Sequence, residues 1–369
     1  MTPQVEILLI CSVTAAACAL VGAFLVLRRT ALLSDAISHA ILPGIVLAFF
    51  YTENLASPLL LGAAAVTGVV TVAIIEALGQ TRLVKQDAAI ALVFPALFSV
   101  GVVLIARYAS GVHLDTDSVL LGDPAFAWIE RLEVAGRDLG PQALWLMGAV
   151  LAVVVAFVGG FYKELKLSTF DPALAAALGL APAAVHYALM TLVSVVAVGA
   201  FDVVGSILVV GLMIAPPAAA WLLTDRLPVL LGLSVLLGVA SAVLGYGLAR
   251  LGDVSIAGAM AVMAGLLFAA CFAFAPDRGL VAQARRRARQ RVAFAERMLL
   301  VHLLHHEHTP EADRECRVGH LQEHLHWAPA LAGRAVRAAE RSGAVRRLGA
   351  DRLALTEAGR AAAQQAMVG

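Results

Sequence analysis

Nine apolar runs fill residues 5–275, near 5–27, 32–51, 58–79, 88–107, 143–162, 184–201, 203–224, 229–250 and 254–275. Each is long enough, as a helix, to cross about 30 Å of hydrocarbon. Inside lipid every backbone N–H and C=O must be bonded within the chain, so such runs dictate a bundle of spanning helices. Hydrophobic residues make up 61% of the chain and charged residues 14%, against roughly 45–50% and 25% in soluble domains. The expected fold is an all-α polytopic membrane protein. Ala183–Leu223 is hardest to divide, because His186 and Asp202 are its only charged-type residues. Eight spans plus a re-entrant segment therefore stand as an alternative to nine. No Lys or Arg precedes Arg28, so the first run lacks the basic region of a signal peptide and is expected to remain a span.

Basic residues orient the set. Arg28, Arg29, Arg82, Lys85, Lys163, Lys166 and Arg226 fall on one side, whereas 52–57 has no base and 108–142 has Arg131 and Arg137 among six acids. The first side is expected to face the cytoplasm of a bacterial inner membrane, together with everything after Pro276. Cys11, Cys18, Cys271 and Cys316 show no metal or redox spacing and read as packing residues.

Residues 276–369 carry sixteen Lys/Arg and ten Asp/Glu. The expected organisation is a membrane domain over 1–276, a basic linker over 277–291 and a small domain over 292–369. The linker run Arg285–Arg291 suits anionic lipid, and nucleic acid is not an expected partner. Helical periodicity covers 292–306. Residues 317–326 and 328–342 read as two more helices, followed by a short hairpin and a helix from near Thr356. That order resembles a winged helix-turn-helix domain, as does the Leu355-Thr356-x-x-Gly359-Arg360 ending. Seven of the ten histidines lie here. His302/His306 and His320/His324 have the i,i+4 spacing that suits a shared metal; the plain alternative is an exposed histidine cluster, and Cys316 is a further ligand type nearby.

The membrane region carries its chemistry in few residues. Asp35 and His39 are four apart, hence on one helix face, and ionisable groups at membrane depth are costly and usually functional. With Ser38 they form an oxygen–nitrogen set suited to Mn²⁺, Fe²⁺ or Zn²⁺. Pro43 and Gly44 are expected to break the helix just beyond. Asp202 is a second path residue or one at the outer mouth. Each has a structural reading too: a cap or interhelical bond for Asp35, a buried hydrogen-bonded ring for His39, a turn for Asp202. Glu76 reads as an interfacial group, and His113, Asp115, Asp117 and Asp123 as an acidic outer loop. Asp171 before Pro172, with Gly179 beyond, predicts a short capped helix over Pro172–Leu178. Phe170, Leu174 and Leu178 give it an apolar face.

Three blocks, Gly22–Phe49, Leu167–Pro182 and Ala200–Thr224, together resemble the permease subunits of ABC importers for zinc, manganese and iron. The chain departs from that family at Ala91 and Pro95-Ala96. The resemblance implies that Asp35, His39 and Asp202 contact a transported divalent ion transiently. It implies that Phe170, Asp171, Pro172, Leu174 and Leu178 belong to a coupling helix docking on a separate ATPase. The expected partners are a second permease copy or paired permease, a cytoplasmic ATP-binding subunit and an extracytoplasmic metal-binding protein. No bound cofactor and no enzymatic activity are expected, since no G-x-x-x-x-G-K-[ST] occurs. Two other classes remain open: a membrane-tethered, metal-responsive DNA-binding regulator, and an ion-gradient carrier.

Overall fold

A computed structural model describes residues 2–52, 58–81, 83–108, 122–134, 137–349 and 351–368. Contacts divide the chain into two compact units, Met1–Pro276 and Asp277–Gly369.

The first unit contains α1 (Pro3–Leu27), α2 (Leu32–Ala40), α3 (Leu42–Thr52), α4 (Pro58–Gln80) and α5 (Gln86–Tyr108). A hairpin of β1 (Arg131–Val134) and β2 (Arg137–Pro141) follows, then α6 (Gln142–Gly160), α7 (Tyr162–Phe170) and α8 (Pro172–Ala177). The unit closes with α9 (Pro182–Val204), α10 (Ser206–Leu223), α11 (Leu227–Gly252) and α12 (Ile256–Phe274). Among the described residues, nine segments are long and apolar enough to span a membrane, with α2 and α3 counted as one. The segment that was hard to divide is two helices. Gly205 separates them at φ 81°, a left-handed conformation that a Cβ would strain. The chain is thus mostly helical rather than all-α. The acid-rich stretch expected to be plain loop folds in part into the antiparallel β1–β2 hairpin, where Arg131 reaches Asp138 at 2.6 Å and Glu6 at 3.3 Å.

Helix α1 is the hub, packing on α6, α9, α10 and α11. Its buried Ala15–Ala19 run presents only small side chains, which lets neighbouring backbones approach; close packing is what holds helices together in lipid. Four hydroxyls inside the bundle are satisfied locally. Ser38, Thr71, Ser194 and Ser234 each donate to the carbonyl one turn earlier.

The expected break at Pro43–Gly44 lies earlier, at Ile41 between α2 and α3. Pro43 has no N–H for the His39 carbonyl one turn earlier, and the break falls between the two, with Pro43 in the first turn of α3. Gly44 serves packing: a Cβ there would fall 2.0 Å from the Thr67 hydroxyl on α4.

The second unit begins with α13 (Leu280–His306), followed by α14 (Ala312–Glu315), α15 (Val318–His324) and α16 (Pro329–Arg341). Strands β3 (Val345–Leu348) and β4 (Arg352–Leu355) pair antiparallel before α17 (Glu357–Val368). Helix α13 starts twelve residues before the expected 292, and Arg285–Arg291 lies within it. Those residues lack apolar periodicity, but arginine is a strong helix former. Leu299, Leu303, Cys316, Leu321, Val336 and Leu353 form the core. Cys316 therefore packs as an apolar residue, its thiol pushed up by burial.

Candidate functional site

Helix α2 buries Leu33, Ala36, Ile37 and Ala40 and leaves Asp35 and His39 on its outer face. The i,i+4 spacing brings His39 Nε2 to 3.7 Å from Asp35 Oδ1, with the side chains 33% and 45% exposed. That separation exceeds a hydrogen bond. It is near the ~3–3.5 Å between two ligand atoms that share one ion at about 2.1 Å. The His39 ring lies between Phe94 and Phe98 of α5, with centroids 6.1 and 6.0 Å away. Pro95, between those rings, sits inside α5 and cannot bond the carbonyl of Ala91. Ser38 does not join the pair: it is buried and donates to Ser34 at 2.6 Å.

Asp202 lies apart from this pair in its lining. At the end of α9 it is exposed and borders a cavity of about 290 Å³ together with Asp123, Glu130 and Gln142. His113, Asp115 and Asp117 lie outside the described residues.

Sequence reasoning missed one cluster. Arg28 at the end of α1 donates to Nδ1 of His186 on α9 at 2.9 Å, to Ser168 at 3.0 Å and to Thr169 at 3.1 Å. With Nδ1 accepting from a guanidinium, the His186 ring carries its proton on Nε2. That atom sits 2.5 Å from Oε1 of Glu76 on α4. The available signal was topological: the end of the first span, the end of the third and the start of the sixth fall at one membrane face.

Ser168 and Thr169 belong to α7, which leads directly into α8. Asp171 Oδ1 accepts from the Leu174 N–H at 2.9 Å and caps α8, and Pro172 takes its first position. Helix α8 ends at Ala177, one residue short of the expected Leu178, which is its C-cap. Gly179 at φ 80° closes it. Its N–H reaches Ala176 O and that of Leu180 reaches Ala175 O, both at 3.0 Å, the paired bonds of a Schellman motif. Phe170, Leu174 and Leu178 are 60%, 45% and 65% exposed, so the capped helix presents an apolar face.

In the tail, the His302 and His306 rings lie tilted by 49° with centroids 4.7 Å apart, and His320 Nε2 lies 3.0 Å from Glu315. Glu315 joins the group, while the His324 side chain lies outside the described residues.

These features define a multi-pass helical membrane protein with a half-exposed carboxylate–imidazole pair on a spanning segment and a rigid helix offering apolar side chains. Residues 4–275 match the model of the ABC 3 transport family. The chain belongs to that family. It is 47% identical over 345 residues, 94% of each chain, to the zinc transport system membrane protein TroD of Treponema pallidum. It is 46% identical over 264 residues to the manganese transport system membrane protein MntD of Bacillus subtilis, covering 72% of this chain and 89% of that protein. Among solved structures it resembles PsaBC from Streptococcus pneumoniae in complex with Fab, with a TM-score of 0.63 and 28% identity over 75% of this chain and 94% of that one. A match over 345 residues runs well beyond Pro276, so the tail is part of the likeness to the zinc relative.

Proposed function

We propose that this chain is the membrane-spanning subunit of an ATP-driven importer for a divalent transition-metal ion, Zn²⁺, Mn²⁺ or Fe²⁺. The observation that carries the metal path is the Asp35–His39 pair, two hard-to-borderline ligands set 3.7 Å apart on a helix that is otherwise apolar outward. In a pair of such subunits, that half-exposed face would line a path between them. Few ligands are an advantage there, since an ion held by many is not released. Asp202, beside Asp123 and Glu130, would form an acidic mouth on the outer side, where a metal-binding protein delivers the ion. Phe170, Leu174 and Leu178 would seat in a groove of a separate cytoplasmic ATPase. Rocking of α8 would then pass through α7 and Arg28 to α1, α4 and α9 and switch access between the two sides.

The tail would lie in the cytoplasm of an inner-membrane protein. The order of α14–α17 with the β3–β4 hairpin supports a winged-helix-like fold for it. The likeness of the tail to a zinc transport subunit favours a role in transport over DNA-binding regulation.

The test is metal accumulation in cells lacking their own importer. Wild-type protein restores accumulation, and Asp35→Ala or His39→Ala at equal protein levels does not. Full accumulation by both variants removes the pair from the path.

A further inference from the structure

The tail holds an imidazole–carboxylate group separate from the ion path proposed above. Helix α13 ends by presenting His302 and His306 on one face. The chain turns, and short α14 brings Glu315 back toward them. Glu315 and His302 are 7% and 8% exposed. Ligand atoms of His302, His306 and Glu315 all lie within 4.8 Å of one another. His320 on α15 approaches the same carboxylate, Nε2 to Oε2, at 3.0 Å.

One feature goes beyond an ordinary buried ion pair. His302 Nε2 is 3.1 Å from the backbone carbonyl of Glu315 and 3.9 Å from its carboxylate. Donating one ring N–H to a carbonyl is how metal-binding histidines are usually oriented, and it makes Nδ1 the basic nitrogen.

We infer that His302, His306 and Glu315, with His320 as the fourth group beside the carboxylate, form a divalent-metal site in the tail. The set is nitrogen-rich with one carboxylate, which suits Zn²⁺ above Mn²⁺ or Mg²⁺. Ligands about 2.1 Å from a tetrahedral ion stand about 3.4 Å apart, so binding closes the group by at most roughly 1.4 Å through side-chain rotation. A bound ion clips the end of α13 to α14 and α15 across residues 307–311. The site differs from the one expected from histidine spacing by the entry of Glu315.

The test uses the purified full-length chain in detergent with Co²⁺ as the probe, read by its visible absorption, and Zn²⁺ as competitor. Wild type and the Asp35→Ala/His39→Ala double variant are expected to share a strong, saturable, low-coordinate Co²⁺ spectrum that Zn²⁺ displaces. In His306→Ala, a half-buried position, Co²⁺ affinity falls by more than about a hundredfold, exceeding the loss from disturbing a ligand's hydrogen-bond partner. Glu315→Gln, near-isosteric, does the same. The proposal is overturned by a wild-type spectrum that persists in both tail variants, or by its disappearance in the double variant. Transport does not enter the readout, so a failure of the importer reading leaves this result intact.

Discussion

Among its described residues, the membrane unit holds two imidazole–carboxylate pairs built in opposite ways. Asp35 and His39 are four residues apart on one helix, 3.7 Å apart in space and open on one side. Glu76 and His186 come from different helices, meet at 2.5 Å and are less exposed. The second pair is also tied through Arg28 to Ser168 and Thr169. The first is loose and locally encoded, as a transient contact with a passing ion requires. The second is tight and long-range, as a brace requires. On the ion path proposed above, the same two residue types serve release in one place and rigidity in the other, and what sets the role is the number and origin of their partners.

Stability measurements separate the two pairs. The largest effect is expected for Arg28→Ala, which strips three side-chain contacts at once. Hydrogen bonds to charged groups contribute about 1.5–3 kcal/mol each, and the part-buried setting of all three discounts their sum to roughly 2–3 kcal/mol, which should appear as a lower thermal unfolding midpoint of the purified chain. Glu76→Ala should cost about 1–2 kcal/mol by the same assay. Asp171→Ala removes the α8 cap and should cost about 1 kcal/mol locally, read as weaker co-purification with the ATPase subunit. Asp35→Ala should change stability by less than about 0.5 kcal/mol, as for other half-exposed pairs; a loss as large as that of Glu76→Ala would erase the distinction. The smallest effect is a pH one. The Asp138 carboxyl lies below its ordinary value because it accepts the Gly140 N–H and, next, Arg131. A depressed carboxylate adds stability that is complete above the ordinary value near 4 and is lost as pH falls through the depressed one. Asp138→Asn should therefore flatten the acid limb of a stability–pH curve slightly.

What was legible in the sequence was local. The spans follow from length and hydrophobicity alone, and α8 follows from a cap, a proline and a glycine within nine residues. The division at Gly205 was visible only as a glycine in an apolar run. The Arg28–His186–Glu76 brace joins residues up to 158 positions apart, and no periodicity reports such a meeting. Glu315 went unseen because spacing alone singled out histidines, whereas the turn after α13 decides which carboxylate folds back beneath them. The β1–β2 hairpin gave no sequence signal, because what fixes it is Arg131 gathering Asp138 across the hairpin and Glu6 from α1.

The central claim is that the open pair touches the ion. Its most direct measurement is the initial rate of ATP-driven uptake of radiolabelled Zn²⁺ or Mn²⁺ by the complete complex in proteoliposomes, comparing wild type with His39→Ala. A fall of about tenfold or more, equivalent to about 1.4 kcal/mol of barrier, with ATPase assembly and unfolding midpoint unchanged, is the predicted result. An undiminished rate from the folded, assembled variant would contradict it.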